Sequence, residues 1–238
     1  MKIRIKFKKW GCMKFIGHLD MMRYFQKAIR RANIDICYSE GFSPHQIMSF
    51  AAPLGVGITS DGEYFDIEVN SSLTSKEALD ALNSTMVEGV EVTEYVKLPD
   101  NAKTAMSLVE AADYTLSYKE GYNSHVNASE WQEIINKYFH NTDSFNIIKK
   151  TKKSEREIDL KPLVYKLEVK EENGKPYFYI MLSTGSTNNI KPELVLESLY
   201  NKCGFEYKPE AIQIHRVDVY TTSDNKFIPL SEMGEQIQ

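Results

Sequence analysis

The sequence predicts an α+β protein made of two tandem, duplicated ferredoxin-like units, each with the element order β-α-β-β-α-β. Three observations lead to this prediction. Strands with apolar residues at every second position alternate with amphipathic helices along the 238 residues. The order of predicted elements repeats in the second half, although we detect no sequence identity between the halves. The length also suits two small domains better than one.

The first predicted unit opens on a strand followed by a helix. Ile3, Ile5 and Phe7 alternate with basic residues, which is typical of a strand with one buried face. After an irregular stretch at 10–12, the apolar spacing becomes helical just beyond Gly17. The stripe expected to face the core consists of Leu19, Met22, Phe25, Ile29 and Ala32.

The same unit is completed by two strands, a helix and a last strand. Short apolar runs predict strands at 46–51 and 64–69. Residues 74–77 (TSKE) form a capping box, which predicts that a helix begins there. Gly89 is expected to end that helix, and a strand is predicted at 90–96.

The second predicted unit follows the same order with a basic hairpin or insertion. Asn173-Gly174 is a two-residue hairpin turn signal. Pro192 is expected at the first position of a helix that is capped by Asn188 or Asn189 and ended by Gly204. Strands are predicted at 114–118, 145–148, 163–169, 177–182 and 213–220, and helices at 129–139 and 192–202. The predicted domains are 1–98 and 111–222, with a linker at 99–110 and a tail at 223–238.

Composition excludes several classes of protein. The apolar fraction is 42% and the formal net charge is −4, as in an ordinary globular protein. No apolar run is long enough for a transmembrane helix, and the first residues lack the apolar core of a signal peptide. Cys12, Cys37 and Cys203 are scattered, which argues for the cytoplasm and against a zinc or iron–sulfur site. We therefore expect no metal, no cofactor and no membrane partner.

Positive charge is concentrated at the start of the chain. Residues 1–31 contain ten Lys or Arg and one carboxylate, Asp20. Such a surface favours a polyanion partner, most often nucleic acid, although a solvated basic face without a partner is the plain alternative. The candidate nucleic-acid-binding residues are Arg23, Lys27, Arg30 and Arg31 of the helix, and Lys150, Lys152 and Lys153 of the predicted basic hairpin.

Several motifs occur together in the first 70 residues. They are FIGHLD (15–20), AIRRA (28–32), YSEGFSPH (38–45) and PLGVGI (53–58), followed by Glu63-Tyr64. Together they resemble the DUF2344 proteins, also described as radical-SAM-associated proteins. The resemblance implies an accessory protein whose partner is a radical-SAM enzyme. The chain lacks the CxxxCxxC motif of a radical-SAM cluster, so it is not that enzyme itself.

This chain departs from the family pattern at two motif positions. The family usually has serine where this chain has Gly17, and often has arginine where this chain has Lys27. Beyond these motifs the resemblance is looser, and it does not itself assign an activity.

Two histidines suggest a different function. A ferredoxin-like repeat with His18 at a helix start and a glycine-rich loop is similar, at the level of fold, to CRISPR repeat-RNA-processing endoribonucleases. His18 and His45 are the candidate catalytic pair, because metal-independent RNA cleavage needs a general base and a general acid. Backbone capping by His18 and bracing of a loop by His45 are the structural alternatives.

Two loops are candidate ligand-binding segments. Glycines permit close approach of a ligand to the backbone, and a loop before a helix can hold an anion, but ordinary turns need the same residues. Tyr38 and Phe42 are residue types that stack on bases, although core packing is favoured for Phe42. The candidate loop residues are Gly41, Ser43, Gly55, Gly57, Ser186 and Asn188.

Three functions therefore remain open from the sequence. The first is an accessory protein of a radical-SAM enzyme that binds or presents an RNA substrate. The second is a metal-independent endoribonuclease. The third is a protein-interaction module without nucleic acid.

Overall fold

The computed structural model describes residues 1–150, 155–185 and 188–238, and it shows a mixed α+β protein with mainly antiparallel strands. The strands are β1 (Lys2–Lys9), β2 (Met48–Ala51), β3 (Thr59–Glu68), β4 (Val90–Lys97), β5 (Ala111–Tyr118), β6 (Asn146–Lys150), β7 (Glu155–Asp159), β8 (Val164–Glu172), β9 (Lys175–Ser183), β10 (Ile212–Ser223) and β11 (Lys226–Pro229). The α-helices are α1 (His18–Arg31), α2 (Ser75–Asn83), α3 (Ala105–Leu108), α4 (Ala128–Ile135) and α5 (Pro192–Cys203).

The chain forms two compact units. The first unit contains residues 1–111 and 216–238, and the second contains residues 112–215. Strand β10 therefore contributes its first four residues to the second unit and the rest to the first.

The segments predicted as linker and tail contain regular structure. Residues 99–110 include α3, and residues 223–238 include β11 and a 3₁₀ helix at Leu230–Met233. Near the end of the chain, the backbone N–H of Ile237 donates to the Ser75 hydroxyl at 2.8 Å, and the Ser75 N–H donates to the Ile237 carbonyl. The C-terminal residues are thus part of the packed first unit.

The first unit has the predicted β-α-β-β-α-β order. Its strands are adjacent in the order β4-β1-β3-β2, and each of these pairs is antiparallel. Strand β10 also lies next to β3, and β11 pairs with β10. The core contains a cluster of four phenylalanine rings from three strands and α1, with centroid separations between 4.6 and 6.1 Å: Phe7, Phe25, Phe50 and Phe65.

Helix α1 buries a slightly different stripe from the predicted one. Phe25 and Ile29 are buried as predicted. Met21, which was not in the predicted stripe, is also buried. Leu19 is 61% exposed and Met22 is only half-buried, so these two positions were predicted wrongly. The reason is angular. Leu19 precedes Phe25 by six residues, which is about 120° around the helix, whereas Met21 precedes it by four residues and lies on the same side.

The predicted start of the next helix is confirmed, but its predicted end is wrong. Thr74 caps α2, and its side chain accepts from the Glu77 N–H while the Glu77 carboxylate accepts from the Thr74 N–H. The helix stops at Asn83, six residues before Gly89. Gly89 instead lies in the turn before β4 with a φ of 96°.

The second unit contains β5, α4, the hairpin β6–β7, β8, β9, α5 and the start of β10. Asn173 and Gly174, with φ values of 52° and 75°, form the predicted turn between β8 and β9. Pro192 begins α5 and Gly204 ends it, as predicted. The predicted asparagine cap is wrong, because Lys191 holds the cap position and makes no side-chain capping bond. The core centres on Trp131, which packs against Phe178, Tyr200 and Phe205.

Candidate functional site

Helix α1 presents a basic face to solvent. Arg23, Lys27 and Arg30 are all exposed, because they lie opposite the stripe that packs on the sheet. Arg23 forms an ion pair with Asp20 at 3.2 Å, but both side chains are 67% exposed, so this pair is worth little. Arg31 donates to the carbonyl of Thr85 at 3.2 Å.

Two cations on this face have no partner. Among the residues that the structure describes, the side chain of neither Lys27 nor Arg30 makes a hydrogen bond or an ion pair. An exposed cation of this kind keeps its charge available to an incoming anion. Lys27 and Arg30 are therefore the strongest anion-binding candidates on α1.

Three basic residues of β1, by contrast, are paired with carboxylates: Arg4, Lys6 and Lys9. Arg4 is fully buried and donates to both carboxylate oxygens of Asp66, at 2.8 and 3.1 Å. Lys6 donates to Asp218 at 2.7 Å. The expectation of one charged surface over residues 1–31 is therefore wrong for Arg4, Lys6 and Lys9, because these side chains are largely covered and paired with carboxylates.

A buried ionic cluster lies at the end of β1. The ammonium of Lys9 is 3.4 Å from one oxygen of Glu63, and the guanidinium of Arg216 is 3.8 Å from the other. All three side chains are at most 5% exposed. Oε1 of Glu63 and Nη2 of Arg216 make no aligned hydrogen bond, so the charges are close without full pairing.

Arg216 also fixes the segment that carries the PLGVGI motif, which we call the motif loop (residues 52–58). Nη1 of Arg216 donates to the carbonyl of Ala52 at 2.6 Å, and Nε donates to the carbonyl of Gly62 at 3.1 Å. Ala52 has a φ of 42°, a left-handed conformation that is unfavourable for alanine. The buried arginine therefore helps to hold a strained residue at the start of this loop.

Residues 38–46, which we call the aromatic loop, are fixed to α1. The Ser39 hydroxyl lies 2.8 Å from Nδ1 of His45 and accepts from the His45 backbone N–H at 3.1 Å. Tyr38 and Gln46 form a β-bridge. Buried Gln46 donates through Nε2 to the carbonyl of Gln26 in α1 at 3.2 Å.

The aromatic loop holds two rings in solvent. Phe42, at the middle of the loop, is fully exposed, and Tyr38 is 49% exposed. The expectation that Phe42 packs in the core is therefore wrong. The loop closes on itself through Ser39 and His45, and this closure leaves the ring no apolar surface to cover it.

The two candidate catalytic histidines have different neighbours. His18 begins α1, and its ring meets the edge of Phe50 with 5.3 Å between the centroids. His45 bonds to Ser39 in the exposed aromatic loop. No contact between the two rings is present among the described residues. Each histidine thus makes the kind of contact expected of a structural residue, and no shared acid–base site is formed from their direct contacts.

The candidate loop glycines are explained mainly by backbone conformation. Gly41 and Gly57 have φ values of 107° and 92°, which favour glycine, and the Gly57 N–H donates to the Lys14 carbonyl at 2.7 Å. Gly55 and Ser43 are exposed. In the second unit, the carbonyl of exposed Asn188 accepts from the Ser183 hydroxyl. The remaining candidates lie outside the described part of the chain: Ser186, Lys152, Lys153 and the side chain of Lys150.

The described part of the chain shows neither a group of metal-binding side chains nor a membrane-spanning helix. Within the described ranges, no group of three or more His, Cys, Asp or Glu side chains is arranged to hold a metal ion. None of the described helices is long and apolar enough to cross a membrane.

The same segments that build these loops match a known protein family. A family model described as "Uncharacterized protein conserved in bacteria (DUF2344)" matches residues 2–192. The chain belongs to the DUF2344 family. The match includes every motif of the first unit and most of the second unit.

Two solved structures are weakly similar to this DUF2344 chain. One, from a crystal structure of a Cbf5–Nop10–Gar1 complex, is 12% identical with a TM-score of 0.49, and the alignment covers 96% of this chain and 52% of that chain. Our chain therefore spans about half the length of that protein. An unknown protein from Galdieria sulphuraria is 11% identical with a TM-score of 0.23, covering 90% of this chain and 96% of that one. Both scores are too low to support an argument. No curated protein matches the DUF2344 chain.

Sequence reasoning missed two residues that position the loops of the DUF2344 chain. Arg216 lies far along the chain from the motif loop, and no local pattern links them. Gln46 follows directly after the YSEGFSPH motif, but its contact with Gln26 depends on how the loop packs. The available signal for Arg216 was its place in the alternation of Ile212 and Ile214, since a buried arginine is normally paired.

Proposed function

We propose that this DUF2344 protein is a cytoplasmic accessory of a radical-SAM enzyme, and that it binds an RNA substrate for that enzyme. The observation that carries the RNA part is the position of the two unpaired cations, Lys27 and Arg30. They lie on the helix to which the aromatic loop is tied through Gln46 and Gln26. Exposed cations combined with exposed aromatic rings are the composition of a nucleic-acid-binding surface.

Helix geometry brings the cations and the loop together. Arg23 and Arg30 are three residues before and four residues after Gln26, so their side chains are its neighbours on the helix surface. Lys27 is the next residue in the chain. The residue that anchors the aromatic loop therefore lies between Arg23 and Arg30 on the surface of α1.

The radical-SAM part rests on the resemblance of the motifs to radical-SAM-associated proteins. The cytoplasmic location rests on the scattered cysteines, each of which is a free thiol. An endoribonuclease acting through His18 and His45 is less well supported, because the two rings have different neighbours.

We also propose that the fold is a tandem pair of ferredoxin-like units. In the first unit, the four strands β1 to β4 lie side by side in the order β4-β1-β3-β2. By position in the chain, this is the order fourth, first, third, second. In the second unit, without the hairpin β6–β7, the corresponding strands are β5, β8, β9 and β10, and they are adjacent in the same order. The helices also occupy the same places in the two element orders. Shared chain order and shared strand order both support a duplication.

The RNA proposal is tested by the salt dependence of binding. Contact with about five phosphates gives a log–log slope of affinity against salt of about −3.5 to −4.5. The triple variant Arg23→Glu, Lys27→Glu, Arg30→Glu should weaken binding several-fold and reduce the magnitude of the slope by about 2, since three phosphate contacts are lost. Fluorescence anisotropy with a labelled single-stranded RNA measures both quantities.

The matched control reverses three exposed lysines elsewhere, in Lys175→Glu, Lys202→Glu, Lys226→Glu. It changes the net charge by the same amount, so it reports the effect of overall charge alone. An equal loss of RNA affinity in the two triple variants would contradict an RNA interface on α1. Absence of RNA binding by the wild type at low salt would leave the protein-interaction module as the supported function.

A further inference from the structure

We propose that the aromatic loop binds unpaired nucleotides, by stacking bases on Phe42 and Tyr38, while α1 binds the phosphates beside them. This inference rests on the proposed RNA-binding function and specifies which form of RNA the site selects.

Both rings of the aromatic loop are exposed to solvent. Phe42 is fully exposed and Tyr38 is 49% exposed, and they are four residues apart in one short loop. A single exposed apolar side chain needs no explanation. Two exposed rings in a loop that is bonded to a helix with unpaired cations are different, because stacking platforms for single strands combine these two features.

Hydrogen bonds fix the shape of the aromatic loop. Ser39 and His45 are joined by the contacts of the Ser39 hydroxyl and by a bond from the Ser39 N–H to the His45 carbonyl at 2.8 Å. Gln46 then ties the loop to α1. Because the loop is already ordered, less conformational entropy is lost when a base stacks on it.

Positive charge is found on α1 and not on the aromatic loop. Residues 38–46 contain no lysine or arginine and one carboxylate, Glu40. The loop itself therefore cannot attract phosphate, and the cations that can do so lie on α1. A nucleotide bound here would place its base on the loop and its phosphate towards the helix.

These features favour unpaired RNA over a duplex. In an A-form helix the faces of internal bases are covered by their neighbours, and the major groove is too deep and narrow for side chains to read. A ring on a short loop can stack on a base only where that base is unpaired. Phe42 and Tyr38 would therefore discriminate single strands, loops and bulges from continuous duplex.

The test compares a labelled oligouridylate with the same strand annealed to oligoadenylate. The wild type should bind the single strand more tightly. Phe42→Ala should weaken binding to the single strand by at least about fivefold, the loss expected when one stacked base is released. It should leave the salt slope unchanged, because phenylalanine contacts no phosphate. Phe42→Trp should keep the affinity.

The control is Phe227→Ala, which removes another exposed phenylalanine and should leave binding unchanged. Circular dichroism before binding shows whether each variant is folded. If wild type binds the duplex as tightly as the single strand, or Phe42→Ala binds like wild type, this inference is overturned and RNA binding by α1 still stands. If wild type binds neither RNA at low salt, both the inference and the proposed function are wrong.

Discussion

At the scale of single residues, burial decides what each basic side chain does. Arg4 and Lys9 are nearly inaccessible and paired with carboxylates, whereas Lys27 and Arg30 are exposed and unpaired among the described residues. A buried charge needs a partner, because desolvation otherwise costs several kcal/mol. Arg4 and Lys9 of β1 therefore serve the fold, and Lys27 and Arg30 of α1 remain available for a ligand.

At Gly62 in β3 there is no room for a side chain, and this gives a stability prediction. A Cβ at this position would lie 2.6 Å from the Cα of Asp218 and 2.8 Å from the carbonyl oxygen of Val217. Both are backbone atoms, so the strands would have to separate. We expect Gly62→Ala to lower the free energy of unfolding by about 1–3 kcal/mol, measured by urea denaturation.

Gly55→Ala is the matched control for this substitution. A Cβ at Gly55 meets only the end of the Ile58 side chain, at 3.9 Å. The change should be neutral or stabilise by up to about 1 kcal/mol. Equal destabilisation by the two alanine variants would show that close approach at Gly62 is not the cause.

Tyr64 gives a prediction about alkaline pH. Burial, followed by the nearby charge of Asp218, raises the pKa of Tyr64 far above its ordinary value of 10.0, and the hydroxyl donates to that carboxylate at 2.6 Å. Above pH 10.0, tyrosine ionises in the unfolded chain while Tyr64 stays protonated in the folded one. The contribution of protonated Tyr64 to the free energy of unfolding is therefore complete below that pH and is lost as the pH rises above it.

Thermal unfolding measured across this pH range tests the effect. Tyr64→Phe should be less stable at neutral pH, because Asp218 loses a donor, but its stability should fall less steeply at alkaline pH. The remaining dependence comes from other tyrosines whose pKa values are raised by burial: Tyr95, Tyr179, Tyr200 and Tyr207. Parallel pH profiles for wild type and variant would contradict this assignment.

At the scale of elements, the loops are positioned by residues outside them. The aromatic loop is fixed through Gln46 to α1, and the motif loop is fixed through Arg216 of β10. Neither loop is long enough to form a core of its own. Their conformations therefore depend on hydrogen bonds to the packed elements beside them.

Removal of Arg216 should release the motif loop. We expect Arg216→Ala to lower the free energy of unfolding by about 3–5 kcal/mol, because the buried cluster loses a cation and two carbonyls lose their donor. Arg216→Lys keeps the positive charge but not the planar guanidinium with its several donors. The free energy of unfolding of this variant should therefore lie between those of wild type and Arg216→Ala. Urea denaturation measures the stability, and limited proteolysis reports cleavage within residues 52–58.

Arg30→Ala serves as the control, because this exposed arginine has no partner in the described part of the chain. Its effect on stability should be within about 0.5 kcal/mol. If Arg216→Ala leaves both the unfolding midpoint and the protease resistance of the loop at wild-type values, Arg216 is not the anchor.

At the scale of the whole molecule, positive charge is concentrated in one part of an acidic protein. The chain carries a net charge of −4, so any binding of RNA must depend on a local surface and not on overall charge. Within the basic start of the chain, the structure leaves Lys27 and Arg30 of α1 exposed and without a side-chain partner among the described residues. This is why the triple charge reversal on α1, compared with a reversal elsewhere, is the decisive test of the proposed function.

The sequence by itself determined most of the elements and their order. Period-2 and period-3.6 patterns are local consequences of strand and helix geometry, so β1 and α1 could be read directly. The same is true of turns and caps, which depend on a few adjacent residues: the Thr74 capping box, the Asn173-Gly174 turn and the Pro192 helix start are confirmed. The motifs also identified the DUF2344 family correctly.

Only the tertiary structure decided which of these residues are available to a ligand. Arg4 and Lys27 look alike in the sequence, and Phe42 resembles a core residue, because composition does not specify what lies against a side chain. Burial of Arg4 depends on Asp66 and Leu230, which are 62 and 226 residues away in the chain. Exposure of Phe42 depends on a loop closed by Ser39 and His45. Long-range contacts of this kind arise from packing, so no local pattern in the sequence predicts them.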